Sequence, residues 1–185
     1  LFKTFAVPAL TLLISIILAF LIIGPIATFA SDLLGAAFTA LFNLNATISG
    51  FLYGALIQVC VMFGVHWGFV AISVNNLATL GYDPITIAGL ASAFGQAGVV
   101  LMIMLRTKNK KLKSVCGPAI ISAMVGITEP SIYGVTLQFI KPFMLACLAS
   151  GIGGAIIGFG GVKQYVYGTN GIFGWLQVIN PQTGF

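Results

Sequence analysis

The 185-residue chain is 59% hydrophobic and 6% charged, with eight Lys and Arg against three Asp and Glu and a net charge of +5. Soluble domains average about 25% charged residues, so the composition excludes an ordinary soluble protein and places the chain in a bilayer. Its apolar stretches are long and uniform, which excludes a transmembrane β-barrel and leaves an all-α, polytopic membrane protein with spanning helices plus re-entrant half-helix hairpins.

The chain starts at Leu1 rather than Met and carries nothing like a cleavable signal peptide, so a fragment of a longer protein is expected. Between Lys3 and Asp32 no residue is charged, and the stretch exceeds the roughly 20 residues a spanning helix needs. Pro8 and Pro25 stand near its margins, and the first span is expected over Phe5 to Phe29. Asp32 to Leu44 follows, closed by Asn43-Leu44-Asn45; it reads equally as an interfacial helix or the end of a bent span.

Ile48 to Val65 is the second long apolar segment. Its small-residue pairs, Gly50 with Gly54 and Gly64 with Gly68, suit close helix packing. Trp67 to Pro84 then turns polar, with Ser73, Asn75, Asn76, Thr79, Tyr82 and Asp83 after His66. This reads as a re-entrant hairpin or a span lining a polar cavity, since polar backbone at depth must face protein or water. Asp83 before Pro84 is placed to cap the next helix, and Pro84 to Leu105 is a third span.

Arg106, Lys108, Lys110, Lys111 and Lys113 form a basic run between apolar flanks. The positive-inside rule makes it a cytoplasmic loop, either merely solvated or docking anionic lipid or a partner domain; a nucleic-acid surface is not indicated. Ser114 to Ile140 is too interrupted for one helix, and two half-helices meeting at Gly126 to Pro130 is the simplest account. Pro142 to Gly161 is a further span, and the tail, Lys163 to Phe185, carries Tyr165, Tyr167 and Trp175, aromatic rings suited to a membrane interface. Cys60, Cys116 and Cys147 are scattered through apolar stretches and read as buried small hydrophobes, with no disulfide or metal site. No boundary divides the chain into two domains.

Glu129 is the residue hardest to explain structurally. It stands alone in an uncharged stretch, between Thr128 and Pro130. An ionisable group at that depth is costly and marks a functional site by default. His66 is either a packing histidine or a ligand; Asn75 and Asn76 either cap a half-helix or line a cavity; Trp67 is a sugar platform or an interfacial residue. A carboxylate and an imidazole can bind sugar hydroxyls as acceptor and donor, and the same pair can move protons. No nucleophile triad, glycine-rich phosphate loop or paired carboxylates accompany them, and no cofactor is implied.

Gly126-Ile-Thr-Glu-Pro-Ser-Ile-Tyr-Gly134 resembles the signature of the membrane-embedded sugar permeases of the bacterial phosphoenolpyruvate-dependent phosphotransferase system, the enzyme IIC components of the glucose superfamily. Met62-Phe-Gly-Val-His-Trp-Gly-Phe69, with Asn75-Asn76 and Gly81-Tyr82-Asp83 after it, is similar to the β-glucoside and sucrose branch; the branches for trehalose and N-acetylmuramic acid read much alike. The resemblance covers nearly the whole chain but about half of a complete permease domain. It implies that residues 1–185 are the C-terminal half of that domain, without its N-terminal helices and without the IIB and IIA domains. It implies a homodimeric inner-membrane permease that moves a sugar by group translocation, a phosphorylated IIB domain being the phosphoryl donor. Glu129 and His66 match the family's carboxylate and histidine beside the reacting hydroxyl, and Thr128 would add a contact. Gln58 stands eight residues before His66, where some maltose-type relatives have an arginine, which bears on sugar selectivity. The substrate-binding set is thus Thr128, Glu129, His66, Gln58, Asn75 and Asn76. Two other classes stay open: a proton- or ion-coupled secondary transporter using Glu129 and His66, and a non-transporting membrane scaffold.

Overall fold

A computed structural model describes residues 2–181; Leu1 and residues 182–185, the end of the aromatic tail, lie outside the described residues. The protein is all-α: α1 (Phe2–Leu18), a π-helical turn (Ala19–Ile23), α2 (Gly24–Leu44), α3 (Ala46–Met62) and α4 (Trp67–Leu80) come first. A 3-10 turn (Thr86–Gly89) leads into α5 (Leu90–Arg106), followed by α6 (Lys110–Met124), the single turn α7 (Glu129–Ser131) and a second π-helical turn (Ile132–Thr136). Then come α8 (Ile140–Phe159) and a closing 3-10 helix (Ile172–Val178). Among the described residues, Ala6–Leu44, Thr86–Arg106 and Ile140–Phe159 are long and apolar enough to cross a membrane.

The first helix does not stop near Phe29. It runs without a break to Leu44, so Asp32 to Leu44 is its continuation. Pro25 lacks an N–H and would press its ring into the carbonyl four residues back, yet the helix survives by widening there. In the π turn just before the proline, Gly24 N–H reaches Ala19 O, five residues back. The 39 residues of Ala6–Leu44 span about 58 Å, nearly twice the roughly 30 Å hydrocarbon core.

Asn45 ends this helix and starts the next. Its backbone is extended and its side-chain oxygen accepts from Ile48 N–H at 3.0 Å. The second half of α2 is then held to α3 and α4 by three rings, Phe38, Tyr53 and Phe69, in edge-to-face contact at centroid distances of 5.0 to 5.5 Å. Cys60 joins this cluster, and Cys116 a second one with Val100, Ala119 and Val135.

α3 and α8 run antiparallel in backbone contact. A side chain on Gly50 or Gly154 would collide with the other's carbonyl, Gly54 faces Ser150 O, and Gly158 faces Ala46 O. The small residues of α3 therefore pack as expected, but Gly64 belongs to a turn: its φ is +73° and no neighbour comes near. α5 packs on the other side of α8, also antiparallel, with Gly153 beside Ala91 and Gly95 beside Ala146 and Ser150.

Two further expectations are revised. Trp67 to Pro84, read as a hairpin or a span lining a polar cavity, is one helix, α4, followed by a loop, and Asn75-Asn76 lies within the helix. The basic run is a loop only at residues 107–109; Lys110, Lys111 and Lys113 form the first turn of α6. Cations at a helix N-terminus oppose its dipole. Asn109 offsets this by accepting from Lys111 and Leu112 N–H through its side chain.

α6 ends at Met124 and the chain doubles back through α7 and the π turn. Ser131 donates to Ala119 O at 2.8 Å, and Gly134 lies against Val115, so the two arms are antiparallel. The hairpin begins beside the end of α5 and finishes at Phe139, beside the start of α8. Its apex is the Gly126 to Glu129 segment.

Candidate functional site

Gly126 makes the apex possible. Its φ is +99°, a conformation most side chains avoid, and a Cβ there would overlap the carbonyl of Asn170. Pro130 then starts the return arm, where a missing N–H costs nothing, and Glu129 stands at the head of that arm. Two bonds tie the hairpin to the rest of the molecule near the apex. Tyr133 Oη reaches the carbonyls of Val61 (3.3 Å) and Met62 (3.2 Å) at the end of α3. Those carbonyls lead directly into the turn that carries His66, which heads α4.

The result is one cavity of about 550 Å³ that receives Glu129, Thr128 and His66 together. Trp67, Phe69, Ile57 and Val61 supply apolar wall, and Thr86, Ser92 and Gln164 polar wall. Volume and lining fit a small organic ligand held by a few convergent polar groups.

Two side-chain groups of this cavity lack a hydrogen-bond partner among the described residues, whereas Thr86 Oγ1 donates to Asp83 and Ser92 Oγ to Gly89 O. The half-buried Glu129 carboxylate makes no hydrogen bond or salt bridge among the described residues, and His66 Nδ1 is buried without a hydrogen-bond partner. His66 lies in the turn outside the helices. Burial holds its pKa below the usual histidine value, and the Glu129 carboxylate pulls it back only in part. The imidazole is therefore neutral near pH 7, with one donor and one acceptor nitrogen.

The other sequence-derived candidates lie elsewhere. Gln58 is buried between helices and belongs to a continuous chain of hydrogen bonds. Thr136 donates to Gln96 Oε1 (3.2 Å), Gln96 Nε2 to Gln58 Oε1, Gln58 Nε2 to Ser150 Oγ (2.5 Å) and Ser150 to Ala146 O (2.6 Å). Asn75 is exposed on α4, and Asn76 Nδ2 donates to Asp83 Oδ1 at 3.0 Å. Asp83, fully buried, caps the turn after it by accepting from Ile85 N–H (3.1 Å) and Thr86 N–H (3.3 Å), and takes the Thr86 hydroxyl as well.

The sequence reading missed the fourth wall. The tail folds back, so that Gln164, Tyr167, Gly168, Thr169 and Asn170 line the cavity. An antiparallel bridge, Asp83 N–H to Gln164 O at 2.7 Å and Gln164 N–H to Asp83 O at 2.9 Å, fixes its start. Gln177 Nε2 donates to Thr169 O at 2.6 Å and fixes its bend. The available signal was Gly168-Thr-Asn-Gly171, a turn-forming stretch after the last span.

With the cavity assembled around Thr128 and Glu129, comparison with known proteins becomes decisive. Residues 2–151 match the family described as "Phosphotransferase system, EIIC". The chain belongs to the EIIC family. It is 45% identical over 182 residues to the beta-glucoside-specific EIIBCA component of Halalkalibacterium halodurans, covering 98% of this chain and 29% of that protein. Against the beta-glucoside-specific EIIBCA component of Dickeya chrysanthemi it is 41% identical over 97% of the chain and 28% of the relative. A sucrose-specific EIIBC component of Staphylococcus xylosus is 33% identical over 96% of the chain and 38% of the relative. No solved structure matches. The EIIC chain thus spans about a third of the length of these relatives, and the apex Gly126 to Pro130 lies within the matched region.

Proposed function

We propose that this chain is the substrate-holding half of an EIIC sugar permease, and that its sugar, a β-glucoside, binds between Glu129, Thr128 and His66. The observation that carries the reading is the convergence of two unsatisfied polar groups, the Glu129 carboxylate and His66 Nδ1, on one cavity. Buried polar groups are ordinarily paired, so His66 Nδ1 left open beside the half-buried Glu129 carboxylate points to a hydrogen-bonding ligand. A neutral imidazole beside a carboxylate suits hydroxyls, and the apolar wall at Trp67 suits a sugar face. The β-glucoside assignment rests on the two relatives above 40% identity that bear that name.

In this reading the hairpin of α6 and α7 is re-entrant. It enters the membrane from the Arg106 side, where the basic segment faces the cytoplasm, and brings Glu129 to depth. The permease, a homodimer in the bacterial inner membrane, carries the sugar to the cytoplasmic side. There a phosphorylated IIB domain, as the EIIBCA names of the relatives imply, transfers its phosphoryl group to the sugar hydroxyl. Glu129 accepts the hydroxyl hydrogen bond and orients that oxygen for attack. The charged product cannot readily recross hydrocarbon, which makes uptake one-way.

The test is radiolabelled salicin or arbutin binding and uptake by the full natural permease, wild type beside Glu129→Gln and His66→Ala. Loss of binding in both variants with normal expression supports the site. Uptake that persists without phosphoenolpyruvate and collapses with the proton gradient replaces group translocation by proton coupling.

A further inference from the structure

A second hollow lies along α5, and Glu129 takes no part in its lining. It is an open groove of about 700 Å³ between α5, α6 and α8. Its floor and walls are Phe94, Gly98, Met102, Phe139 and Leu145, and Arg106 and Thr107 close one end. From the structure we infer that this groove holds one acyl chain of an anionic phospholipid, with the headgroup phosphate at Arg106.

Three observations carry this. The first is length. Phe94 to Arg106 rises about 18 Å along α5, close to the roughly 15 Å of hydrocarbon in one leaflet. A groove apolar for that distance and cationic at its end has the profile of a single phospholipid standing in a leaflet.

The second is charge. Arg106 is exposed and its guanidinium forms no hydrogen bond or salt bridge among the described residues. Lys108, Lys110, Lys111 and Lys113 follow it. Lys141, in the first turn of α8, stands at the same end of the antiparallel α5–α8 pair. The three acidic residues, Asp32, Asp83 and Glu129, lie in other elements. This end of the groove is therefore cationic without an internal counter-charge, which favours an anionic headgroup over a zwitterionic one.

The third is the floor. A Cβ on Gly98 would meet nothing within 4 Å, so the space above it is open rather than filled by a neighbouring helix of this chain. Gly98 accordingly supplies a probe: a side chain added there starts out into the groove rather than into a neighbouring helix.

The experiment uses the full natural permease, purified in detergent and mixed with phosphatidylglycerol or phosphatidylcholine of matched chains, with bound lipid read by native mass spectrometry. Wild type should retain phosphatidylglycerol in preference to phosphatidylcholine. Arg106→Gln should reduce that preference about fivefold, the effect of one basic side chain near an anionic surface. Gly98→Trp should remove retention of both lipids while sugar binding persists. Equal retention of both lipids, unchanged by Arg106→Gln, would overturn the inference and leave only nonspecific apolar solvation. So would a Gly98→Trp protein that no longer assembles, because the groove would then be covered by another segment or a second copy.

Discussion

Two polar clusters in this apolar protein have opposite characters. Thr136, Gln96, Gln58 and Ser150 are all buried, and each donor finds an acceptor, ending at Ala146 O. The Glu129 carboxylate and His66 Nδ1 find no hydrogen-bond partner among the described residues and are set on a cavity. Composition does not separate them, since both are sparse polar residues in apolar surroundings. Satisfaction does: the first cluster joins α3, α5, α8 and the π turn of the hairpin, and the second faces an open cavity.

Breaking the first cluster should give the largest effect, and it should appear in stability. Gln58→Leu leaves Gln96 Nε2 without its acceptor in a buried site. Orphaning one buried donor costs about 1–3 kcal/mol, and the lost bond to Ser150 adds to it. The expected outcome is a loss of about 3 kcal/mol in denaturant or thermal unfolding of the detergent-purified permease. Sugar affinity of the surviving folded fraction should stay within about threefold. A large affinity loss without instability would place Gln58 in the binding site after all.

Glu129→Gln should invert that pattern. Hydrogen bonds to charged groups contribute about 1.5–3 kcal/mol, so sugar affinity should fall about 10- to 100-fold. Unfolding should be unchanged or slightly improved, because the change removes a charge that no protein group pairs.

His66→Ala should be next in size, a loss of about tenfold in affinity, equivalent to ~1.4 kcal/mol. Its pH signature sharpens the comparison. Burial lowers the pKa of His66 from its usual value near 6.5, so the ring stays neutral at and above that pH. Binding by wild type should be flat from neutral to mildly alkaline pH and decline only below the ordinary histidine range, as protonation converts the acceptor nitrogen into a donor. His66→Ala should lose that acid decline. Titration calorimetry or filter binding across the range decides it.

How much of this was legible in the sequence follows from the range of each interaction. The break at Gly126 to Pro130 was legible because its causes are local: a glycine at positive φ, a proline, and a charge between them. Asp83 as a cap was legible for the same reason. Gln58 was not. A polar residue in an apolar helix shows neither which face it occupies nor that Gln96, 38 positions later, meets it. The tail was least legible of all, because Asn170 reaches the apex through its backbone carbonyl, and main-chain groups carry no residue signature. Pro25 misled in the other direction: its local rule ends a helix, but a single π turn accommodates it.

The smallest expected effects test the α4 asparagines, whose placement the sequence left open. Asn75 is exposed, its backbone carbonyl accepts from Thr79 Oγ1 at 2.7 Å, and its side chain has no partner among the described residues. Asn75→Ala should change neither sugar affinity nor stability beyond about 0.5 kcal/mol, as for exposed positions generally. Asn76 differs because its amide supports Asp83. Asp83 keeps its other donors at Ile85, Thr86 and the Thr86 hydroxyl, so Asn76→Ala should cost about 1 kcal/mol of stability rather than unfold the loop. Any effect on sugar affinity should pass through the backbone bridge from Asp83 to Gln164, which lines the cavity, and should therefore be small. A large affinity loss from Asn75→Ala alone would show that the substrate reaches the outer face of α4, and the cavity would have to extend beyond the walls described.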